Sequence, residues 1–369
     1  MAQTLRTCLA AAIDFAQLGH LNLRVYLFGI VSRFGVSSLL SRARASDTDS
    51  DRLSLAEQRD IFHTDENSDS HSFTLSDGRK IGFANFGAEN GPTVFYLHGF
   101  PGSRLSGVFF DKPGKRLGAR IIAVERPGVG ISSPQPGRKL LDHANDIREL
   151  AEHLNVRSYG IIGVSGGGPY ALACAYSLPE ENLKSVSVVC GMGPIDMGTK
   201  GMNWSNWLIF KGLIYFPALV RWLQGRVVSV LNSLPNEKIV DAVTKRMSQR
   251  SSNWLGGNGK DMRILSDPEF LTMMLDFYRE HYRQGVDGFM EEGRVLTSNW
   301  GFSVEDIRPS IPTQLWYSRQ DNNVPLRMGE AIAARLGSRP DLHVIQNETH
   351  LGLVLNHSFN ALEHLLEKM

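Results

Sequence analysis

Short, nearly continuous apolar runs alternate with longer amphipathic stretches over most of the chain, and this pattern predicts a sheet covered by helices. Six runs have the length and composition of strands buried on both faces: 93–97, 120–124, 160–164, 185–189, 313–317 and 342–345. Residues 140–154 and 169–178 have the spacing of amphipathic helices. Because strands without a polar face need cover on both sides, we predict an α/β fold with a mainly parallel sheet and helices on both faces.

A different pattern precedes the first buried strand. Two alternating segments, 71–75 and 80–86, flank an Asp-Gly pair at Asp77 and Gly78. This arrangement predicts a β-hairpin at the start of the folded domain.

The alternation stops between residues 195 and 308. This stretch is rich in helical patterns and contains five of the six tryptophans and seven of the eleven methionines. We interpret it as a helical cap inserted into an α/β core made of 71–194 and 309–369. The Trp, Phe and Met content suits an apolar substrate, although the same residues would also serve simply as the core of the cap.

The first 70 residues divide into two segments of different composition. Residues 1–45 are apolar and contain five arginines but only one acidic residue, Asp14. The charges interrupt every apolar run, so none reaches the roughly 18 residues of a spanning helix. We expect an amphipathic helix that packs on the protein or makes peripheral membrane contact, or else a mitochondrial targeting segment. Residues 46–70 are rich in Ser, Asp and Glu and predict an acidic linker with one short helix around 53–62.

The overall composition excludes several classes of function. Hydrophobic residues make up 42% and charged residues 21% of the 369 positions, and the net charge of +1 gives no field that attracts nucleic acid. The three cysteines form no paired pattern, and metal-ligand, Walker and dinucleotide motifs are missing from the sequence. We therefore expect no metal, no cofactor, no nucleic-acid partner and an intracellular location, cytoplasmic or peripherally membrane-associated.

The strongest chemical motif is GVSGG at residues 163–167, which fits the G-x-S-x-G pattern between a buried strand and a helix. Small residues are needed at Gly163 and Gly167 because strand and helix approach closely at such a turn. We predict that Ser165 is a nucleophile. The alternative is a glycine-rich turn that has no chemistry or binds phosphate.

A serine hydroxyl needs a base, and in this context the expected chain order is serine, acid, histidine. His350 follows the last predicted strand and is the expected base, on a loop. Asp321 lies in the turn after strand 313–317 and is expected to orient His350. Asp196, which follows the strand that ends near Cys190, is the alternative acid. The alternative for His350 and for Asp321 is that each is a loop residue without a catalytic role.

Residues 98–102, HGFPG, follow the strand 93–97 and predict an oxyanion hole. A tetrahedral oxyanion needs two preorganised N–H donors, which we assign to Phe100 and Gly166. We expect His98 and Gly99 to support this loop rather than to carry protons. The alternative is an ordinary Gly/Pro turn.

These motifs together resemble the α/β-hydrolase fold superfamily, in its serine-nucleophile, esterase-like branch, over about residues 71–369. The segment ERPGVGIS at 125–132 is similar to the D-R-P-G-x-G-x-S loop of that family, with Glu125 where Asp is usual. The resemblance implies the fold, a catalytic triad and independence of cofactors, but it does not imply a substrate. Members that act on epoxides or haloalkanes have Asp where this chain has Ser165.

We therefore predict a carboxylesterase-like serine hydrolase that cleaves an ester or thioester of an apolar small molecule through an acyl-enzyme. One alternative is that the same triad serves C–C bond hydrolysis, acyl transfer or cyclisation in a biosynthetic pathway. The other is a non-catalytic binding protein with a hydrolase fold. The substrate and the oligomeric state do not follow from the sequence.

Overall fold

A computed structural model of the chain describes residues 69–248, 259–265, 267–337 and 340–369. The predicted extension at 1–45, the short helix near 53–62 and almost all of the predicted linker lie outside these ranges. Eight strands form the sheet: β1 (Asp69–Thr74), β2 (Lys80–Gly87), β3 (Thr93–Leu97), β4 (Arg120–Val124), β5 (Tyr159–Val164), β6 (Leu183–Val189), β7 (Thr313–Ser318) and β8 (Asp341–Ile345). β1 begins at Asp69, so the last two residues of the predicted linker belong to this strand.

Helices follow the strands as the periodicity predicts, and the described part of the chain also contains a 3₁₀ turn at Arg104–Phe110 that the pattern did not indicate. The α-helices are α1 (Asp111–Leu117), α2 (Asp142–His153), α3 (Gly168–Ser177), α4 (Trp204–Tyr215), α5 (Pro217–Ser233), α6 (Asn236–Ser248), α7 (Gly259–Leu265), α8 (Pro268–His281), α9 (Asp287–Leu296), α10 (Leu326–Leu336) and α11 (His350–Leu366). None of these helices is long and apolar enough to cross a membrane.

The strands are hydrogen-bonded in the order β1-β2-β4-β3-β5-β6-β7-β8. β2 runs antiparallel to both of its neighbours, whereas every pair from β4 to β8 is parallel. The predicted mainly parallel sheet, opened by a hairpin, is confirmed. The carboxyl ends of the parallel strands share one edge of the sheet, so the loops that follow β3, β5, β7 and β8 meet there.

The core has two layers because side chains of the central strands alternate between the sheet faces. On β3, Val94 and Tyr96 join a cluster with residues of α11 and of the helices between β6 and β7. Phe95 and Leu97 join the opposite cluster, which contains residues of α2, α3 and α10. Both faces are therefore covered, as the continuous apolar strands require.

Helices α4 to α9 all lie between β6 and β7 in the chain, within the stretch that the sequence marks as an inserted cap. The tryptophans of this stretch do not form a single core. Trp204, Trp207 and Trp222 are exposed, and Trp300 is buried with residues of the α/β core, while Trp254 lies outside the described residues.

Candidate active site

Ser165 occupies the sharp turn between β5 and α3. Its backbone has a φ of 53°, in the left-handed region that non-glycine residues rarely adopt. A single 3₁₀ turn, Ser165–Gly167, then leads into α3, and the serine side chain stays partly exposed at the carboxyl edge of the sheet. Such a strained turn is where the nucleophile of a G-x-S-x-G motif is held.

Two glycines make this turn possible. A Cβ atom at Gly163 would lie 2.4 Å from the carbonyl oxygen of Gly167, and one at Gly167 would lie 2.1 Å from the carbonyl oxygen of Leu97. Backbone atoms cannot yield as a flexible side chain would, so any side chain at these positions would move the strand and the helix apart.

His350 lies between Ser165 and Asp321. Its Nε2 atom is 3.1 Å from Ser165 Oγ, and its Nδ1 atom is 2.7 Å from Asp321 Oδ2. The sequence placed His350 on a loop, but it is the first residue of α11, capped by Thr349, whose hydroxyl accepts from the Gly352 N–H. The helix includes His350 because Thr349 is a good N-cap residue.

The Asp321 carboxylate is fixed from its other side. Oδ1 accepts hydrogen bonds from the N–H groups of Asn323 and Val324, at 2.7 and 2.9 Å. Oδ2 is thereby aimed at His350, which holds one tautomer of the ring with its second nitrogen facing the serine. An imidazole held in this way can accept a proton from a hydroxyl and activate it as a nucleophile.

The alternative acid, Asp196, lies elsewhere. It is exposed and forms an ion pair with Arg335 on α10, with 2.5 Å between Oδ2 and Nη2. The structure therefore brings Asp321, and not Asp196, to His350.

The pKa of His350 reflects competing effects. Burial is the largest single effect and lowers it, but the groups around the ring, the Asp321 carboxylate first among them, together raise it more, and the pKa lies well above the ordinary histidine value. Cys190 Sγ is 3.9 Å from His350 Nε2. Burial raises the pKa of this thiol, so it stays neutral and we attribute the raised pKa of His350 to Asp321.

The loop at 98–102 lies directly against this turn. A Cβ atom at Gly99 would be 3.5 Å from the Cβ atom of Ser165, and one at Gly166 would be 2.9 Å from the backbone nitrogen of Phe100. The backbones of Phe100 and Gly166 thus approach each other beside the serine hydroxyl. Two N–H groups in this position can bind an oxyanion.

Arg126 supports the loop in a way that the sequence did not predict. Its guanidinium donates to the carbonyl oxygens of His98 and Gly99, both at 2.6 Å, and pairs with Glu292 on α9 at 2.5 Å. Burial and the neighbouring Arg126 hold the pKa of His98 well below its usual value, so His98 is neutral. The ERPGVGIS segment was the available signal for Arg126, whereas Glu292 had none.

Glu125, which stands where the family pattern has Asp, stabilises the 125–132 loop to which it belongs. Its carboxylate accepts from the Ile131 N–H at 2.8 Å and pairs with Arg104 at 2.5 Å. A Cβ atom at Gly130, where φ is 54°, would lie 1.9 Å from Glu125 Oε1. Glu125 therefore holds the loop that carries Arg126 and does not reach Ser165.

A second carboxyl group lies close to His350, and no sequence motif marks it. Asp261 on α7 is buried, α7 contacts α11, and the Oδ1 atom of Asp261 has no hydrogen-bond partner among the described residues. Burial raises the pKa of Asp261 to about 7, whereas Thr349, His350 and Leu351 lower it. Asp261 therefore lies beside the first turn of α11, close to His350.

A cavity of about 140 Å³ opens beside Ser165 and His350. Its walls are mainly apolar, with side chains from the 98–102 loop, α4, α8 and α11, among them Phe100, Phe109, Met192, Phe210, Met274, Phe277, Leu351 and Leu355. Asn206 and Asn323 are among the few polar groups. Phe and Met of the predicted cap do face the cavity, but its described tryptophans do not line it.

A metal ion fits this site poorly. Within the described ranges, Cys190, Asp321 and His350 are the group whose potential ligand atoms all lie within 4.8 Å of one another. However, a metal needs a thiolate, and burial raises the pKa of the Cys190 thiol and so makes its deprotonation more costly. The His350 ring is also committed through both nitrogens to Asp321 and Ser165.

Comparison with known families gives a match over most of the chain. The family described as alpha/beta hydrolase fold matches residues 92–356. This range contains the GVSGG turn, the 98–102 loop, Asp321 and His350.

Individual relatives are more distant. The chain is 30% identical to the dihydrolipoyllysine-residue acetyltransferase component of an acetoin cleaving system from Pseudomonas putida. This match extends over 117 residues, or 31% of each of the two chains. The chain spans less than half the length of the first curated relatives that it matches.

Solved structures match over a larger share. An alpha/beta hydrolase fold protein from Nakamurella multipartita is 20% identical, with a TM-score of 0.56 over 80% of this chain and 98% of that one. An esterase from Exiguobacterium antarcticum is 18% identical, with a TM-score of 0.53 over 80% of this chain and 97% of that one. At these identities the likeness concerns the fold.

Proposed function

The chain belongs to the alpha/beta hydrolase fold family, and we propose that it is a serine hydrolase that cleaves an ester or thioester of an apolar small molecule. One observation carries this proposal: His350 joins the Ser165 hydroxyl to the Asp321 carboxylate beside an apolar cavity. Because this fold hosts many reactions, the proposal rests on the site and not on the fold.

In the proposed acylation, Ser165 Oγ attacks the carbonyl carbon of the bound ester while His350 Nε2 takes the hydroxyl proton. The N–H groups of Phe100 and Gly166 donate to the oxygen that becomes negatively charged, a contribution of about 3 kcal/mol for each donor. The tetrahedral intermediate collapses as the bond to the leaving alcohol or thiol breaks. His350 gives its proton to that leaving group, and the acyl group stays on Ser165.

In the proposed deacylation, water takes the place of the leaving group. His350 removes a proton from the water, whose oxygen attacks the acyl carbon through a second tetrahedral intermediate. The acid leaves, the proton returns to Ser165 Oγ, and no cofactor takes part. Throughout, Asp321 stabilises the imidazolium without itself taking a proton.

The cavity limits the size of the acyl group. A volume of about 140 Å³ is close to that of an apolar cavity that holds a benzene-sized molecule. An acyl chain of roughly four to six carbons therefore fits beside Ser165 without rearrangement of the surrounding helices. Aromatic and Met side chains on the walls favour an apolar chain over a charged one.

The test is hydrolysis of a series of p-nitrophenyl esters of increasing acyl length by the full-length protein and by Ser165→Ala. We expect turnover to be highest for the short and medium chains and to fall by about 10⁴-fold or more in the variant. Product analysis with added alcohol separates hydrolysis from acyl transfer.

Ser106→Ala is the matched control. Ser106 lines the same cavity, but its hydroxyl donates to the Ser103 carbonyl oxygen and is not hydrogen-bonded to His350. This variant should keep most of the activity. A folded wild-type protein that hydrolyses none of the esters, or a Ser165→Ala protein as active as Ser106→Ala, would exclude the proposal.

A further inference from the structure

The turn between α4 and α5 exposes apolar side chains in an unbroken run. All six residues of 214–219 (IYFPAL) are exposed, with Tyr215 at 64% and Phe216 at 62% of their full accessibility. Soluble surfaces rarely expose more than three consecutive apolar residues unless the run has a function. Trp204, Trp207, Leu208 and Trp222 on the same two helices are exposed as well. We call these four residues and 214–219 together the apolar corner.

The chain segment that carries the apolar corner has only positive charges of its own. Between Asp196 and Glu237 the sequence contains no acidic residue, and its charged residues are Lys200, Lys211, Arg221 and Arg226. Lys211 Nζ lies over the Tyr215 ring, 5.8 Å from its centre. The structure describes an acidic partner for Arg221, Asp287 on α9. Lys211 is therefore the positive group that the structure places directly against the corner.

Helix α4 connects the apolar corner to the cavity. Asn206, Ile209 and Phe210 on one side of this helix line the cavity beside Ser165, whereas Trp207 and Leu208 face solvent on another side. A helix is about 10 Å across, so a surface that binds the apolar corner lies about one helix diameter from the cavity.

We propose that the apolar corner docks onto an anionic membrane surface. Trp, Tyr and Phe are the side chains that settle at the boundary between headgroups and acyl chains, and neighbouring Lys and Arg are attracted to anionic lipids. Docking of this kind needs no spanning helix. It also places α4 between the bilayer and the cavity, so an apolar ester has a short path from the membrane to Ser165. This path rests on the proposed function, whereas the docking itself does not.

Charge disfavours the other candidate occupants of the apolar corner. Residues 1–45 carry five arginines and one acidic residue, the same sign as the helices that they would cover. A second copy in a two-fold contact would bring the same positively charged helices against each other. An anionic lipid surface is the partner whose charge complements the corner.

The experiment is vesicle flotation of the full-length protein with phosphatidylcholine vesicles that either contain or lack phosphatidylserine. We compare the wild type with Phe216→Ser/Leu219→Ser, which shortens the apolar run, and with Lys211→Gln, which removes one charge. Lys115→Gln is the matched control, because Lys115 is also an exposed lysine. It lies on α1, and the carboxyl end of α1 leads to the amino end of β4. Lys115 is therefore at the edge of the sheet opposite to the cavity. Hydrolysis of a soluble short-chain ester is measured in parallel.

The wild type should float with the anionic vesicles and detach as salt is raised. Phe216→Ser/Leu219→Ser should bind on the order of tenfold more weakly or worse, and Lys211→Gln about fivefold more weakly. Lys115→Gln should bind like the wild type. Hydrolysis of the soluble ester should be the same in all four proteins, which shows that each is folded and that only docking has changed.

Several results would overturn the docking proposal. A wild type that does not bind anionic vesicles contradicts it, and so does a double variant that binds as well as the wild type. Binding that is lost only when residues 1–45 are deleted would place the contact in that segment. A wild-type dimer that becomes monomeric in the double variant would show that a second copy covers the corner. Normal vesicle binding without any ester hydrolysis would refute the proposed function alone.

Discussion

His350 has to lose its proton before it can act as a base, and its surroundings make that loss harder. The Asp321 carboxylate lies 2.7 Å from Nδ1 and raises the pKa of the ring well above its ordinary value. A base with a raised pKa accepts the hydroxyl proton of Ser165 more readily, but it is neutral only at higher pH. The strength of the base and the pH range of activity are therefore linked through Asp321.

This link predicts the pH profile of the reaction. Activity should be lost as pH falls through the raised pKa of His350, so the acidic limb of kcat/KM should have its midpoint above about 6.5. Asp321→Asn should move the midpoint down and reduce kcat by up to about 10⁴-fold. Profiles are measured with a soluble ester, and Asp196→Asn serves as the control that leaves both quantities unchanged. A larger loss in Asp196→Asn than in Asp321→Asn would identify the other carboxylate as the acid.

Asp261 predicts a pH dependence of stability with a definite sign. Burial raises its pKa from 3.8 to about 7, so the folded protein holds this proton more tightly than the unfolded chain does. The contribution is favourable at low pH and is lost as pH rises through about 7. The melting temperature of the wild type relative to Asp261→Asn should therefore fall as pH rises from about 4 to about 7 and level off above that. A difference that stays constant over this range would show that Asp261 is ionised in the folded protein throughout.

Residues in the loops that follow the strands could be predicted, and residues supplied by the insertion could not. Ser165 and Asp321 follow buried strands and His350 follows the partly exposed edge strand β8, and the parallel sheet brings the ends of all three strands to one edge. Glu292 and Asp261 come from helices of the inserted stretch, and no motif marks them. Their positions depend on how these helices pack on the sheet, which a single sequence does not specify.

Among the elements, α9 has a role in holding the 98–102 loop. The Phe100 ring stacks on the Phe289 ring of this helix with 4.6 Å between centres. One turn further along α9, Glu292 pairs with Arg126, whose guanidinium binds the carbonyl groups of the loop. The N–H group of Phe100 is therefore positioned by a helix of the inserted stretch as well as by the sheet.

Glu292→Gln tests this support. It leaves the Arg126 guanidinium buried without its carboxylate, which should lower the free energy of unfolding by about 3 kcal/mol or more. Glu291→Gln is the control, since its ion pair with Arg294 is partly exposed and should be worth less than about 1 kcal/mol. Urea unfolding and kcat are measured for both. Equal stability losses, or a Glu292→Gln protein with unchanged kcat, would argue against α9 as the support of the loop.

Element boundaries show where the pattern of apolar residues is informative. The six parallel strands were predicted to within two residues at each end because they are continuous apolar runs, and the two antiparallel strands of the hairpin equally closely because they alternate around a turn. The 3₁₀ turn Arg104–Phe110 gave no such signal. It is buried in part because Gly107 fits closely against Ala123 and Phe86, a tertiary contact without periodicity.

At the scale of the whole molecule, the site combines groups that are far apart in the chain. Ser165, Asp321 and His350 follow three parallel strands at one edge of the sheet, and α4, α8 and α11 contribute the apolar walls of the cavity. The order of the motifs along the sequence predicted that Ser165, Asp321 and His350 come together. The cavity walls depend on how helices with several apolar faces pack. The sequence left open whether those faces meet a substrate or one another.

Deletion of residues 1–45 should leave the chemistry intact. Within the part of the chain that the structure describes, the first strand begins at Asp69 and the residues that line the cavity all follow Thr93. The truncated protein should therefore hydrolyse a soluble ester with an unchanged kcat/KM. Circular dichroism shows whether it remains folded. A folded but inactive truncated protein would mean that this segment helps to build the substrate pocket.

Ser165 is proposed to form a covalent acyl-enzyme, and active-site labelling detects a serine with this reactivity. A fluorophosphonate reacts with a serine that is activated by a base and stabilised by an oxyanion hole. Intact-mass spectrometry of the full-length protein should detect a single adduct, and peptide mapping should locate it on Ser165. Ser165→Ala should carry no adduct, whereas Ser106→Ala should be labelled like the wild type. Labelling that persists in Ser165→Ala, or a folded wild type that remains unlabelled, would contradict the account.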